Sequence, residues 1–264
     1  MVFTTIDDAK KAVGTFEVPG GYLLKDEDGE VYRLNQLTMR EISGHEEDIM
    51  ADDDISFTER LYQVFGRCIT KIADDDGHAI IDPEKLISVP DGLLFSDIMV
   101  MFKSLYQITV GNQLFRKVLC DSGKCKNKQT EIINLEDIEV LPVKGDPAER
   151  VREYKTSRGT DVTWELLSGK IDRTYDAGND ESSKDMITML MLRRVRTING
   201  EPATKENLKD LPSRERIEIR NQFEDEGGIE TRRHTRCRKC HKHISYDLRV
   251  VDFDFFTSQE ELKD

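Results

Sequence analysis

The chain has no apolar run long enough to cross a bilayer, which excludes a helical membrane span. Its opening, Met1-Val2-Phe3-Thr4-Thr5-Ile6-Asp7-Asp8, has neither a basic nor an apolar region, so no secretory leader is expected there. Positive charge is not in excess either. The 39 Lys and Arg against 52 Asp and Glu give a formal net charge of −13, which argues against a protein that coats DNA or RNA. Cysteine is scarce: five in 264 residues fall short of a disulfide scaffold and fit metal ligation in a reducing compartment. No nucleophile stands beside a base, no pair of carboxylates is placed by periodicity, and Gly20-Gly21 alone does not cradle a phosphate. A catalytic function is therefore not expected. What remains is a chain 37% hydrophobic and 34% charged, long enough to bury a sizeable core and to divide into two units.

Four cysteines come in two short pairs, Cys120 with Cys125 and Cys237 with Cys240. Each pair stands between β-prone runs: Phe115, Val118 and Leu119 before Ile132, Ile133, Leu135 and Ile138, then Thr231 to Thr235 before Ile244, Tyr246, Leu248 and Val250. That pattern predicts a hairpin with thiolates at its tip. Two such tips facing each other supply the four soft ligands that tetrahedral zinc takes at about 2.3 Å, and four thiolates leave no position for water, so the ion would be structural. Cys237-Arg-Lys-Cys240 has the usual knuckle spacing, whereas Cys120-Asp-Ser-Gly-Lys-Cys125 has two further residues; neither pair carries a Pro after its first cysteine or a Gly after its second. A zinc tetrathiolate carries a charge of about −2, which Arg116, Lys117, Lys124, Lys126 and Lys128 offset at the first pair, and Arg232, Arg233, Arg236, Arg238, Lys239 and Lys242 at the second.

Other readings of these residues stand beside that one. The cysteines could be free or disulfide-bonded. Cys237-Arg-Lys-Cys240-His241 matches the haem-attachment pattern, but that chemistry follows export and leaves Cys120 and Cys125 unexplained. His234, His241 or His243 could substitute for a missing ligand, although solvated histidines are the plainer reading. An enzyme with a zinc-bound water would need one of the four cysteines not to be a ligand, His241 or His243 to be one, and three ligands plus solvent at the ion. The arginines of the second pair could contact phosphates, making a zinc-ribbon nucleic-acid-binding module.

In chain order, a short polar helix is expected around Asp7 to Val13. A hairpin comes next, from Tyr22 to Leu34, turning at Asp28-Gly29, and then a brief helix begun by Thr38 within Gln36 to Met50. Ser56-Phe57-Thr58-Glu59 is a capping box for a helix whose apolar face is Phe57, Leu61, Val64, Phe65, Cys68, Ile69 and Ile72, with Cys68 as core filling. Asp74-Asp75-Asp76-Gly77 lacks the alternating ligands of a calcium loop and is a solvated turn. Pro90-Asp91 opens a second helix that buries Leu94, Phe95, Ile98, Met101, Phe102 and Leu105 and ends at Gly111. Residues 141 to 162, charged and with little periodicity, read as a linker.

The second half of the chain echoes the first. Leu166-Leu167-Ser168-Gly169 answers Glu41-Ile42-Ser43-Gly44. A helix from Ser182 to Ile198, burying Met186, Ile187, Leu190, Met191, Val195 and Ile198, answers the helix ending Ile69-Thr70-Lys71-Ile72. Leu86 and Pro90 recur as Leu208 and Pro212, both 122 residues on, and a helix capped by Ser213 leads to the second cysteine pair. The chain closes with a strand from Val250 to Phe256 and an acidic tail. The expected fold is α+β: two pseudo-repeated helical and β-hairpin units, 1–140 and 141–264, joined by a zinc-ribbon-like site of Cys120, Cys125, Cys237 and Cys240. Each unit contributes half the ligands, so the ion would be the seam, and its loss should loosen the units before either melts.

These residues resemble the zinc-knuckle baseplate hub proteins of contractile-tailed bacteriophages, the group that includes a central hub component of the T-even baseplate. The likeness rests on Phe16-Glu17-Val18-Pro19-Gly20-Gly21-Tyr22, on Arg40-Glu41-Ile42-Ser43-Gly44-His45-Glu46-Glu47-Asp48-Ile49, and on the helix reaching Tyr106-Gln107-Ile108-Thr109-Val110-Gly111 before the strand into Cys120. The late helix, strand, Cys237-x2-Cys240 and Phe255-Phe256 also fit, so the resemblance covers most of the chain with loose motifs. It implies a structural or assembly protein of the virion, in the tail baseplate and in the host cytoplasm during assembly. It would contact other hub, spike, tube or wedge proteins and hold structural zinc, with no chemistry of its own.

Overall fold

The computed structural model describes residues 13–176 and 185–248. The strand expected at 250–256 lies outside these, as does the helix expected at residues 7–13 apart from Val13, which is already strand. Strands β1 (Val13–Lys25) and β2 (Val31–Arg40) form the predicted hairpin, longer at its open end than the sequence indicated. At its turn the Asp26 carboxylate accepts from the backbone N–H groups of Asp28 and Glu30. The helix expected from Thr38 is corrected: Leu37 and Met39 are wholly buried on β2, and helix α1 (Gly44–Met50) starts only after Ser43. Glu46 explains the later start, because its carboxylate accepts from both the N–H and the hydroxyl of Ser43 and from the Arg40 guanidinium.

Helix α2 (Phe57–Cys68) begins at the predicted cap, with Ser56 Oγ accepting from Glu59 N at 3.2 Å. It stops at Cys68. Ile69 and Ile72, expected in its last turn, lie on strand β3 (Ile69–Ala73), where this β-branched run pairs with β2. Phe57, expected on the buried face, is 42% exposed. Cys68 is buried as expected. Asp74 to Gly77 form the turn into β4 (Ala79–Ile80), completing an antiparallel sheet in the order β1-β2-β3-β4. Two short helices, α3 (Pro83–Leu86) and α4 (Val89–Gly92), precede α5 (Phe95–Thr109). The single helix expected from Pro90 is thus broken at Leu93-Leu94, and Asp97 Oδ2 restarts it by accepting from Leu94 N at 3.0 Å.

Asp97 Oδ1 accepts from Gly20 N at 2.6 Å, which ties α5 to β1. The β1–β2 register shifts there, between Glu17 and Tyr22, and Gly21 has φ +69°. Pro19-Gly20-Gly21 is therefore a bulge bent over the start of α5. A Cβ on Gly20 would lie 2.6 Å from the Asp97 carboxylate.

After α5 come β5 (Gln113–Leu119), β6 (Lys128–Asn134) and β7 (Val140–Leu141). The stretch read as a linker, 141–162, carries strand β8 (Val151–Lys155) and the start of β9 (Asp161–Glu165), joined by the Ser157–Thr160 turn. Short strands with one exposed face left too little alternation to see. Helices α6 (Gly169–Asp176) and α7 (Met186–Leu192) come next, then β10 (Val195–Ile198) and β11 (Glu201–Pro202), giving a second antiparallel sheet in the order β11-β10-β9-β8. The helix expected to run to Ile198 ends at Leu192. Met186, Ile187 and Leu190, expected in the core, are exposed, while Met191, Val195 and Ile198 are buried. Helices α8 (Lys205–Asp210) and α9 (Ser213–Gln222) lead to β12 (Gly228–Ile229), β13 (Arg232–Arg236) and β14 (His243–Asp247).

The architecture is α+β. Its largest core is built mostly from residues between Val18 and Ile138, and a smaller one from Val162, Met191, Val195, Ile198, Leu208 and Ile219. Leu94, Val143, Trp164 and Leu166 form a third buried cluster between them. Backbone bonds cross at the same place, Phe95 N to Leu167 O at 2.7 Å and Gly169 N to Leu93 O at 3.0 Å. Beside them Arg173 pairs with Glu59 at 2.7 Å and Asp91 at 2.6 Å. The expected seam of metal alone is therefore corrected: packing, backbone bonds and ion pairs join the two parts of the chain independently of any ion.

Candidate metal centre

The two cysteine pairs lie on hairpins, as their flanking runs indicate. β5 pairs with β6 from Gln113↔Asn134 to Leu119↔Lys128, and β13 pairs with β14 from Arg232↔Asp247 to Arg236↔His243. Further contacts set the hairpins side by side. At their base β7 and β12 pair antiparallel, Val140 with Ile229 and Leu141 with Gly228. This needs Gly227 and Gly228, at φ +71° and +114°, since a Cβ on Gly227 would meet Leu141 O at 2.6 Å. Just below the tips, buried Gln129 on β6 donates to Arg236 O at 3.0 Å and accepts from Arg238 N at 2.8 Å, on either side of Cys237. Its neighbour Glu131 accepts from Thr235 Oγ1 at 3.0 Å.

At the tips the four sulfurs of Cys120, Cys125, Cys237 and Cys240 all lie within 4.8 Å of one another. Cys120 Sγ is 3.6 Å from Cys240 Sγ, and Cys125 Sγ is 3.7 Å from Cys237 Sγ. A disulfide has sulfurs about 2.05 Å apart, so neither contact is one. Four sulfurs at about 2.3 Å from a common centre stand about 3.8 Å apart along each tetrahedral edge, and the observed spacing fits that figure. All four cysteines singled out in the sequence are thus brought together at metal-binding distance. Among the described residues no histidine joins them: His234, His241 and His243 are exposed, and His234 Nδ1 lies 2.9 Å from Ser245 Oγ.

The two tips share a backbone plan despite their unequal spacing. Cys120 N donates to Asn127 O at 2.8 Å and Cys237 N to Lys242 O at 2.9 Å, in each case the residue two beyond the second cysteine. The residue between has a left-handed backbone, Lys126 at φ +45° and His241 at φ +59°. These are the positions where a Gly was missed in the sequence, and the turn is made without it.

Backbone N–H groups point at the sulfurs: Ser122 at Cys120, Asn127 at Cys125, and Cys240 and Lys239 at Cys237. The Cys240 N–H, with that of Lys239, holds the Cys237 thiol down at about 6 against burial. The Ser122 N–H pulls on Cys120 too, but burial and the three neighbouring thiols outweigh it and push Cys120 up to about 12. Four thiolates this close repel one another, and a divalent cation among them reverses that by favouring all four charged forms. Cys120 and Cys237 are buried, whereas Cys125 and Cys240 are partly exposed, so one edge of the cluster faces solvent.

Sequence reasoning missed Gln129, Glu131 and Gly227-Gly228. A glutamine and a glutamate alternating on a strand look like any solvated edge, and nothing local marks the partner hairpin 100 residues away. The paired glycines were the one readable sign of a close backbone approach. Comparison of the chain with protein-family models, with curated proteins and with solved structures finds no match to any of them.

Proposed function

We propose that the protein is a non-catalytic structural component, a rigid bracket for neighbouring subunits, whose Cys120, Cys125, Cys237 and Cys240 hold one structural zinc ion. The observation that carries this is the closed set of four sulfurs at the tips of two interlaced hairpins. A thiolate tetrahedron has no place for water, so the ion would contribute folding energy and not Lewis-acid chemistry. The similar element order on both sides of the chain, two meanders each with helices between second and third strands and each followed by a cysteine hairpin, supports a duplicated unit. The setting proposed is the tail baseplate hub of a contractile phage, on the sequence resemblance, with hub, spike, tube or wedge proteins as partners. Use of the basic knuckles on nucleic acid is less favoured, because several of their arginines are engaged within the protein: Arg232 with Asp247, Arg238 with Thr130 O and Glu131, and Arg233 with Glu230 O.

Metal analysis of the purified chain tests the centre. About one zinc per chain is expected, lost in both Cys125→Ser and Cys240→Ser; full metal retained in either variant would refute the shared site. Co-sedimentation with tail structures, and no steeply salt-dependent binding to duplex DNA, are expected of the bracket. The opposite pair of results would favour the nucleic-acid module.

A further inference from the structure

Residues of two edge strands line a common groove. Among the described residues β1 ends its sheet, and β7 pairs with β12 alone, so each has one side without a strand partner. Between them lies a cavity of about 680 Å³, within the range of pockets that enclose a ligand. Its floor is one stripe of α5, where Val100 and Ser104 are buried and Lys103 and Gln107 flank them at helical spacing. Phe16 of β1 and Val140 of β7 belong to its walls.

Two cations reach this groove. Arg33 makes no ion pair or side-chain hydrogen bond among the described residues. Lys103 Nζ donates to Ile138 O at 2.9 Å and makes no ion pair among the described residues; burial, with Arg233 nearby, disfavours its charged form. The one lining acid, Glu17, accepts from Asn35 Nδ2 at 2.9 Å. An occupant with carboxylates would offset both cations, apolar side chains would cover Phe16 and Val140, and only an extended backbone uses an open edge. Nucleic acid matches the cations but not the apolar walls or the edges.

We propose that this groove docks an extended segment of a partner protein, one that alternates apolar with acidic side chains and adds as a strand to the free edge of β1. The proposal stands on the groove alone and does not depend on the four-sulfur site. The probe is a synthetic octapeptide alternating valine with aspartate, fluorescently labelled and titrated into the full chain. Micromolar binding is expected, weakened about tenfold by Lys103→Glu or Arg33→Glu in variants with unchanged circular dichroism. Replacing the aspartates by lysine should abolish binding. So should N-methylation of alternate peptide amides, which removes the edge donors without altering the protein. No binding, or binding indifferent to N-methylation, overturns strand addition. Equal competition by an oligonucleotide overturns the peptide class. Binding seen only as a dimer dissociates, or only after residues 249–264 are removed, hands the groove to this chain itself and overturns the partner assignment.

Discussion

Two buried carboxylates respond to pH in opposite senses. Asp97 is fully buried, and burial pushes it up to about 6 despite the N–H groups of Gly20 and Leu94 and the nearby Arg150 charge. Its native form therefore binds a proton more readily than the unfolded chain does, and its contribution to stability is lost as pH rises from about 4 through 6. For Glu46, burial also raises the pKa, but hydrogen bonds from Arg40 and Ser43 outweigh it and hold the carboxyl at about 2. That contribution is present above about pH 4 and lost as pH falls toward 2. Denaturant titrations at several pH values should show Asp97→Asn removing a downward slope between pH 4 and 6. The same change should cost roughly 1–3 kcal/mol, because an amide has one acceptor oxygen for two buried N–H groups. Glu46→Gln should flatten the acid side and destabilise by roughly 2–4 kcal/mol near neutral pH, since it strands the Arg40 charge.

The cysteine hairpins are held by the β7·β12 pair, the Gln129 bridge and the Glu131 contact, to which an ion among the four sulfurs would add. Gln129→Ala leaves Arg236 O and Arg238 N without their partner, a loss of about 1–3 kcal/mol. If the four sulfurs hold zinc as proposed, binding would be coupled to closure of the tips, and the same variant should bind zinc more weakly in competition with a chromophoric chelator. Unchanged affinity would mean that the tips close without the bridge. Hairpins and capped helices were the legible elements, since caps, turns and flanking β-branched runs act over a few residues. Ser56 with Glu59, the turn at Gly29 and both cysteine hairpins lie where these rules put them. Helix ends were not legible. Ile69, Ile72, Val195 and Ile198 continue a helical stripe in sequence, but tertiary pairing with β2 and β9 draws them into strands.

Across the whole molecule, metal removal should have a local effect. With a chelator present, amide exchange should rise in 113–134 and 228–248, while the amides of Phe95 and Gly169, which bond across the contact between the two parts, stay protected. Global loss of protection would return the ion to the role of sole seam. Arg173→Ala should weaken that contact in its turn, because Glu59 and Asp91 come from one side and Arg173 from the other. The chelated variant should open where the chelated parent does not, which small-angle scattering would detect.

The four cysteines of the candidate centre were picked out by sequence alone, because cysteine pairs at hairpin tips are a short-range pattern with few chemical uses. The α+β class came likewise from local periodicity and turn residues. Which residues press the hairpins together, and that Trp164, Arg173 and the Leu94 crossing join the two parts of the chain whether or not an ion does, came only with the tertiary structure. Those contacts link positions tens to over a hundred residues apart. Their free energy depends on which surfaces meet, and no window of neighbouring residues carries that information.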